Sequence, residues 1–345
     1  MTDIDIRVTG RAGRITFTRP QALNALTYDM CMAIDAAMRL WREDDEVALV
    51  VIDAAGDKAF CAGGDIAELY DTGTRGDYGY GQRFWADEYR LNALISEYSK
   101  PVISFMQGFT MGGGVGIGCH GSHRVVDDNS RIAMPECGIG LVPDVGGSLI
   151  LARAPGRLGE YLSLTTSRMG PDDAILAGFA DTYIPRAKWN DLIDMLEASG
   201  DATHVTTHAE EPPQGAMRPL LGRIEHHFSG QTLTDIGNSL QADESDFARE
   251  SLKAITRNSP LSMTCATEII RRLRPTGVTI RTALDLEYRF TFRAMQHGDF
   301  LEGIRAQIID KDRTPAWRHK DFNVPSSAID TMLAPLGSDT LTFDT

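Results

Sequence analysis

The chain has 345 residues, enough for one large domain or two, and its 42% hydrophobic and 24% charged residues are typical of a soluble enzyme. Its 34 basic and 48 acidic side chains give a formal charge of −14, which argues against a nucleic-acid partner. We expect no signal peptide and no membrane span, because the N-terminus is acidic and no run of about eighteen apolar residues occurs. The five cysteines include no Cys-x-x-Cys pair, which predicts reduced thiols in a cytoplasmic protein.

Strand and helix patterns alternate through the first part of the chain. A helix begins after Thr27, which is well placed to cap it, and continues to about Arg42. The segment Lys58–Asp65 is a glycine-rich turn that leads into a short helix, and a longer helix follows over about 80–98. Strand patterns lie near residues 4–8, 14–18, 47–53, 101–106, 124–126 and 131–133. This alternation predicts an α/β core with ligand loops at strand ends.

The composition changes after about Ala198. Residues 200–215 are polar and contain Pro212-Pro213, which is typical of a linker or surface loop, and the pattern from about 220 to 307 is mostly helical. We therefore divide the chain into a core over residues 1–200, which carries the ligand site, and a mainly helical region over 201–345.

Two glycine-rich turns each follow a predicted strand: Phe60–Ile66 (FCAGGDI) and Met111–Gly116 (MGGGVG). Taken alone, the first is more simply an ordinary tight turn in which glycine supplies a positive φ. Two such turns together can offer two backbone N–H groups to one thioester oxygen.

These two motifs, with their separation, resemble the crotonase (enoyl-CoA hydratase/isomerase) superfamily. The resemblance implies an α/β fold, a crotonase-type spiral of ββα units with a helical C-terminal region. It also implies that the amides of Gly64 and Gly113 form the oxyanion hole for an acyl-CoA thioester, with Ile66 of the first motif contacting the substrate.

The carboxylates distinguish this chain within the superfamily. Hydratases of the family carry a glutamate two residues after the triple glycine, where this chain has Gly116, and a second one at the position of Glu136. Where hydratases usually have a glycine, this chain has Asp144. The two-glutamate apparatus for hydration is therefore incomplete.

A third carboxylate, Glu88, stands in the apolar stripe of the helix over 80–98. Phe84, Glu88, Leu91, Ile95 and Tyr98 are spaced to share one helix face. A carboxylate that faces a core is costly unless it is paired or used. Either the helix is slightly rotated and Glu88 lies at the rim, or Glu88 contacts the substrate.

Glu88, Gly113, Glu136 and Asp144 together resemble a thioesterase branch of the superfamily, which hydrolyses 3-hydroxyisobutyryl-CoA in valine breakdown. Segments of the C-terminal region, Leu286–Arg289 among them, agree with this branch. By this resemblance Glu136 attacks the thioester carbonyl or activates water, and Asp144 orients the acyl hydroxyl or the water. The substrate brings CoA with it, so neither a metal nor another cofactor is implied, and a homo-oligomer is possible.

Two other functions stay open. An enoyl-CoA isomerase or hydratase would use Glu136. The two additional carboxylates, Asp144 and Glu88, argue against this function, because they are unfavourable beside an apolar acyl chain along which a proton is moved. A protein that binds acyl-CoA without catalysis would keep its affinity for acyl-CoA in the variant Glu136→Gln, and it would have no turnover to lose.

Other reactive side chains receive no catalytic role. Cys137 lacks a partner histidine for thioesterase chemistry, and His120 and His123 lack a third ligand at metal-binding spacing. His226 and His227 are expected to face solvent. Lys58 and Arg19 are equally well explained as contacts for the CoA phosphates and as surface charges.

Overall fold

Nine strands occur among residues 3–343, the part of the chain that this computed structural model describes, and they form two sheets. The larger sheet has the order β1-β2-β3-β5-β7-β9, with β1 and β2 antiparallel and every other neighbouring pair parallel. The smaller sheet has the order β4-β6-β8 and is entirely parallel. The strands are β1 (Ile4–Thr9), β2 (Ala12–Phe17), β3 (Leu49–Ala54), β4 (Ala59–Cys61), β5 (Val102–Met106), β6 (Phe109–Met111), β7 (His123–Val126), β8 (Arg131–Ala133) and β9 (Thr182–Tyr183).

From β3 to β9, successive strands alternate between the two sheets. Each passage of the chain adds one strand to the larger sheet and the next to the smaller sheet, which is the winding of a spiral of ββα units. The predicted spiral is therefore confirmed. The strand β4 is an addition to the prediction, because sequence reasoning assigned all of Lys58–Asp65 to a turn.

Sixteen α-helices occur in the same described range. They are α1 (Tyr28–Arg42), α2 (Ala67–Thr74), α3 (Tyr78–Ser96), α4 (Gly113–Gly118), α5 (Gly147–Arg153), α6 (Leu158–Thr165), α7 (Pro171–Leu176), α8 (Trp189–Ser199), α9 (Thr203–Thr207), α10 (Leu221–Phe228), α11 (Leu233–Gln241), α12 (Asp246–Ile255), α13 (Pro260–Leu273), α14 (Ile280–His297), α15 (Phe300–Ile304) and α16 (Ser326–Leu333). The predicted helical C-terminal region is confirmed. Thr27 caps α1 as expected, since its side chain accepts a hydrogen bond from the Met30 amide.

The described residues divide into two compact units built from discontinuous segments. The first contains residues 3–65, Asp87–Ala133 and Arg168–Arg218, and the second contains Ile66–Ala86, Met134–Ser167 and 219–343. Both sheets belong to the first unit, whereas the second is helical. The proposed boundary near residue 200 divides the chain by sequence order and stays a prediction.

Each unit has its own apolar interior. In the first, Val51 of β3 and Phe105 of β5 share a buried cluster with Trp189 of α8, and the Phe105 and Trp189 rings lie 5.1 Å apart. In the second, α13 packs against α5 and α6. The strands β3 and β5 and the helical character around α13 were predicted from the sequence pattern, whereas α5, α6 and α8 were not.

Candidate active site

The two glycine-rich turns lie side by side in the first unit because the strands before them are neighbours. β4 pairs in parallel with β6, so the turns that follow these two strands leave the small sheet at the same end. Gly63 (φ +114°) and Gly112 (φ +48°) have backbone conformations that side chains rarely adopt, which explains glycine at these two positions. A methyl group placed on the next residue, Gly113, would lie only 3.3 Å from the Gly64 nitrogen.

The amides of Gly64 and Gly113 are both available as donors. Within residues 3–343, neither N–H group has a hydrogen-bond partner, although the neighbours of Gly64 are bonded: Leu26 donates to the Gly63 carbonyl and Asp65 donates to the Leu26 carbonyl. Gly113 opens α4 and therefore has no carbonyl four residues earlier in its helix to accept its N–H. Two adjacent unbonded amides are suited to hold an oxygen that gains negative charge.

Glu88 belongs to the same cluster. Its side chain is 3% exposed, and its Oε1 atom would lie 2.8 Å from a methyl group on Gly113. The helix face expected from the spacing is observed, because Phe84, Leu91 and Ile95 are buried as well. The alternative in which Glu88 lies at the rim is therefore wrong. The Glu88 carboxylate also contributes to raising the pKa of Cys61 to about 12, after the larger effect of burial.

Glu136 and Asp144 form a second cluster, in the second unit. Glu136 follows Pro135 at the start of a 3₁₀ turn, and both carboxyl groups are buried, at 4% exposure each. Burial raises the pKa of Glu136 well above its ordinary value, and the charges of Asp144 and Glu287 add to that effect. Two neighbouring buried carboxyl groups thus favour a proton on Glu136.

The loop that carries Asp144 has an unusual backbone. Val145 has φ +51° and Gly146 has φ +79°, and the Gly147 amide donates to the Asp144 carbonyl over 2.7 Å. A β-branched residue in this region is rare and costs roughly 1–3 kcal/mol, so the surroundings must hold it. Strain of this kind is concentrated in functional sites.

Glu287, on α14, completes the second cluster and was not singled out as a site residue from the sequence. It is fully buried and accepts hydrogen bonds from the amides of Gly146 (2.9 Å) and Ser148 (3.3 Å) and from the Ser148 hydroxyl. The signal was present, since Ala283, Glu287, Thr291 and Ala294 are spaced to share one buried helix face, as around Glu88. Burial raises the pKa of Glu287 to about 8, an effect that its three hydrogen bonds partly oppose.

The remaining predicted residues lie in several environments. Ile66, half-buried, precedes α2. Arg19 forms ion pairs with Asp65 at 3.1 Å and with Asp3 at 3.3 Å, whereas Lys58 is exposed. The structure therefore brings Gly64, Gly113 and Glu88 together in the first unit, and Glu136 and Asp144 in the second.

Three other findings concern alternatives. The Cys137 thiol is fully buried, which raises its pKa and disfavours the thiolate that a cysteine nucleophile needs. No group of three or more His, Cys, Asp or Glu side chains within residues 3–343 is arranged to hold a metal ion. None of the helices in that range is both long and apolar enough to cross a membrane.

Comparison with known proteins identifies the family. The family model described as enoyl-CoA hydratase/isomerase matches residues 12–333. The chain belongs to this family. Two solved structures share the fold of this chain along almost their whole length. One, from Rhodobacter sphaeroides, is named an enoyl-CoA hydratase (55% identical, 99% of this chain and 100% of that one, TM-score 0.96). The other, from Mycobacterium thermoresistibile, is named a carnitinyl-CoA dehydratase (37% identical, 100% of this chain and 99% of that one, TM-score 0.95).

Several curated relatives carry the name 3-hydroxyisobutyryl-CoA hydrolase, mitochondrial. The protein from Xenopus laevis is 38% identical over 95% of this chain and 88% of its own, and that from Gallus gallus is 35% identical over 98% and 90%. The human protein is 35% identical over 97% of this chain and 89% of its own. The expected cytoplasmic location is contradicted by these names, since the relatives are mitochondrial. Cysteine spacing reports a reducing compartment and does not distinguish one such compartment from another.

Proposed function

We propose that this family member hydrolyses the thioester of 3-hydroxyisobutyryl-CoA, giving 3-hydroxyisobutyrate and free CoA. The observation that carries the proposal is the buried acidic pair Glu136 and Asp144, in a chain similar over nearly its whole length to proteins named as this hydrolase. A buried carboxylate beside a second one is suited to attack on an acyl carbon or to activation of water.

The amides of Gly64 and Gly113 are the proposed oxyanion hole. As the thioester carbonyl becomes tetrahedral, its oxygen gains negative charge, and two fixed N–H groups stabilise that charge more strongly than they stabilise the substrate. One such donor contributes about a hundred- to a thousandfold in rate. The absence of other partners for these amides within residues 3–343 supports this role.

Glu136 has two chemically balanced routes. In the first, its carboxylate attacks the carbonyl carbon, the C–S bond breaks, and CoA leaves as a thiolate that takes a proton. Water then opens the mixed anhydride and regenerates the carboxylate. In the second, Glu136 removes a proton from water as the water attacks the carbonyl carbon, the C–S bond breaks, and Glu136 returns this proton to the departing CoA thiolate. The raised pKa of Glu136 supports both routes. A poorly solvated carboxylate is a better nucleophile and a better base near neutral pH than a fully solvated one.

Asp144, Glu88 and Ile66 are proposed to act on the substrate. Asp144 orients the acyl 3-hydroxyl or the attacking water, Glu88 is a further polar contact beside Gly113, and Ile66 is an apolar one. The proposal requires no metal and no cofactor beyond the CoA of the substrate. It is compatible with a homo-oligomer and with a division of the chain near residue 200.

Release of free CoA tests the proposal. The purified protein is mixed with 3-hydroxyisobutyryl-CoA, and the thiol is trapped with a chromogenic disulfide, alongside Asp144→Gly and a crotonyl-CoA control. We expect release by the wild type and its loss in the variant, because glycine is what hydratases of the family usually carry there.

A hydratase or isomerase is the second candidate, favoured by the names of the two similar solved structures. It predicts no thiol release but conversion of unsaturated acyl-CoA. A silent binder predicts no turnover of either substrate and an unchanged affinity in Glu136→Gln. Either result would replace the hydrolase proposal.

A further inference from the structure

The helix α5 begins without a capping side chain of its own. Its N-cap residue is Gly146, which has none, and the amides of Gly146 and Ser148 would be left without partners by the local sequence. Both donate instead to the carboxyl group of Glu287, which comes from α14, 139 residues or more along the chain. Glu287 thus does for α5 what an N-cap side chain does for an ordinary helix.

The same contact holds the loop that carries Asp144. Val145 and Gly146 have positive φ, at 51° and 79°, and such a backbone persists only where surrounding bonds determine it. Glu287 bonds Gly146 and Ser148, one and three residues after Val145, and is 0% exposed, so bulk water does not compete for these bonds. Loss of the carboxyl group would leave two buried amides without acceptors and free the loop to relax.

We infer that Glu287 is a positioning residue for the hydrolysis, because it fixes the backbone of Val145–Ser148 and thereby the place of the Asp144 carboxylate beside Glu136. The inference rests on the proposed function for its effect on rate. Glu287 does not itself touch the reacting atoms, so its loss should slow turnover and leave substrate affinity nearly unchanged.

The protonation of Glu287 decides which substitution is conservative. Its pKa of about 8 means that the group is largely neutral at pH 7. Glutamine reproduces the neutral group, since its carbonyl oxygen accepts from the Gly146 amide and its NH₂ group donates to the Ser148 hydroxyl oxygen. Leucine has a similar size and offers no acceptor. If Glu287 serves packing alone, the leucine variant should be the more active of the two. If Glu287 positions the loop, the glutamine variant should be the more active.

The test compares Glu287→Leu, Glu287→Gln and Ser148→Ala with the wild type, and uses Thr291→Val on the same buried face of α14 as the control. We expect Glu287→Leu to lower kcat by about a hundredfold, the effect of misplacing a catalytic group by about 1 Å, with KM within about threefold. Glu287→Gln should recover kcat to within about tenfold of the wild type, since one good hydrogen bond is kept. Thr291→Val should match the wild type within about twofold, because the control leaves the loop contacts intact.

Hydrogen exchange provides a readout that does not depend on activity. The amides of Gly146 and Ser148 should exchange about tenfold faster in Glu287→Leu and remain protected in Thr291→Val, and in Glu287→Gln the Gly146 amide should remain protected because its acceptor is kept. If Glu287→Leu does not fold, Ser148→Ala decides: faster exchange at these amides with a lower kcat supports the inference, and no change in either overturns it.

Equal kinetics of the leucine and glutamine variants, or unchanged exchange in the leucine variant, would also overturn the inference. If the wild type releases no CoA, the proposed function fails, but the exchange experiment still decides whether Glu287 holds the loop.

Discussion

Gly113→Ala tests the oxyanion hole with a single methyl group. The added carbon would lie 2.8 Å from Oε1 of Glu88 and 3.3 Å from the Gly64 nitrogen. An oxygen that accepts a hydrogen bond from an amide sits about 2.9 Å from the nitrogen, so the methyl group takes up space that the thioester oxygen needs. We expect kcat/KM to fall by about a hundred- to a thousandfold, the loss typical of one oxyanion donor.

The same substitution should leave the fold nearly intact. Moving the end of the Glu88 side chain away from the methyl group costs about 1–2 kcal/mol, as in mild overpacking, and replacing glycine by alanine in a helix returns about 1 kcal/mol. The melting temperature should therefore change by only a few degrees. The assay is CoA release from 3-hydroxyisobutyryl-CoA, with thermal unfolding measured on the same samples.

Two other glycines provide matched comparisons. A methyl group on Gly114 would lie 2.1 Å from the Cys61 carbonyl oxygen, so Gly114→Ala should lose the fold as well as the activity. A methyl group on Gly170 would meet no heavy atom within 4 Å, so Gly170→Ala should keep both. A folded Gly113→Ala variant with the kcat/KM of the wild type would refute the assignment of this amide pair.

Three further predictions concern titration. The charge of Asp144 contributes to the raised pKa of Glu136, and the ionised form of Glu136 is the active one. In the residual activity of Asp144→Asn, the acid limb of the plot of kcat against pH should therefore move to lower pH. A limb that does not move would contradict this. Glu287 has its pKa raised from 4.5 to about 8, so its stabilising contribution is complete below pH 4.5 and is lost as the pH rises through 8. The stability of the wild type relative to Glu287→Gln, measured by thermal unfolding, should therefore fall between pH 5 and pH 9, whereas a constant difference would count against the shift. Burial raises the pKa of all five cysteines. Less than about one thiol per chain should therefore react with a chromogenic disulfide in the native protein, and all five should react in the unfolded protein. Rapid reaction of the native protein would argue against the buried placement.

Much of the fold could be predicted from the sequence because its causes are local. Thr27 caps α1 as expected, the strand at Arg131–Ala133 has the predicted bounds, and the helix expected over 80–98 runs over Tyr78–Ser96. Side-chain periodicity and capping are determined by neighbouring residues, so they are visible without the tertiary structure. The placement of Glu88 on a buried face followed from the same periodicity.

Other features depend on partners far away in the sequence. His227 was expected to face solvent, but it is 2% exposed and bonded through its two ring nitrogens to Ser239 and Asp243. The strand Ala59–Cys61 is only three residues long, and it is a strand because Phe109–Met111 pairs with it. No local pattern distinguishes three such residues from a turn.

The sequence by itself determined the glycine turns, the carboxylates and the family that they indicate. Only the tertiary structure decided that the Gly64 and Gly113 amides are adjacent, and that Glu287 bonds a loop more than a hundred residues earlier. The physical reason is that a motif specifies backbone conformation over a few residues, whereas strand pairing and side-chain burial depend on which distant segments meet when the chain folds.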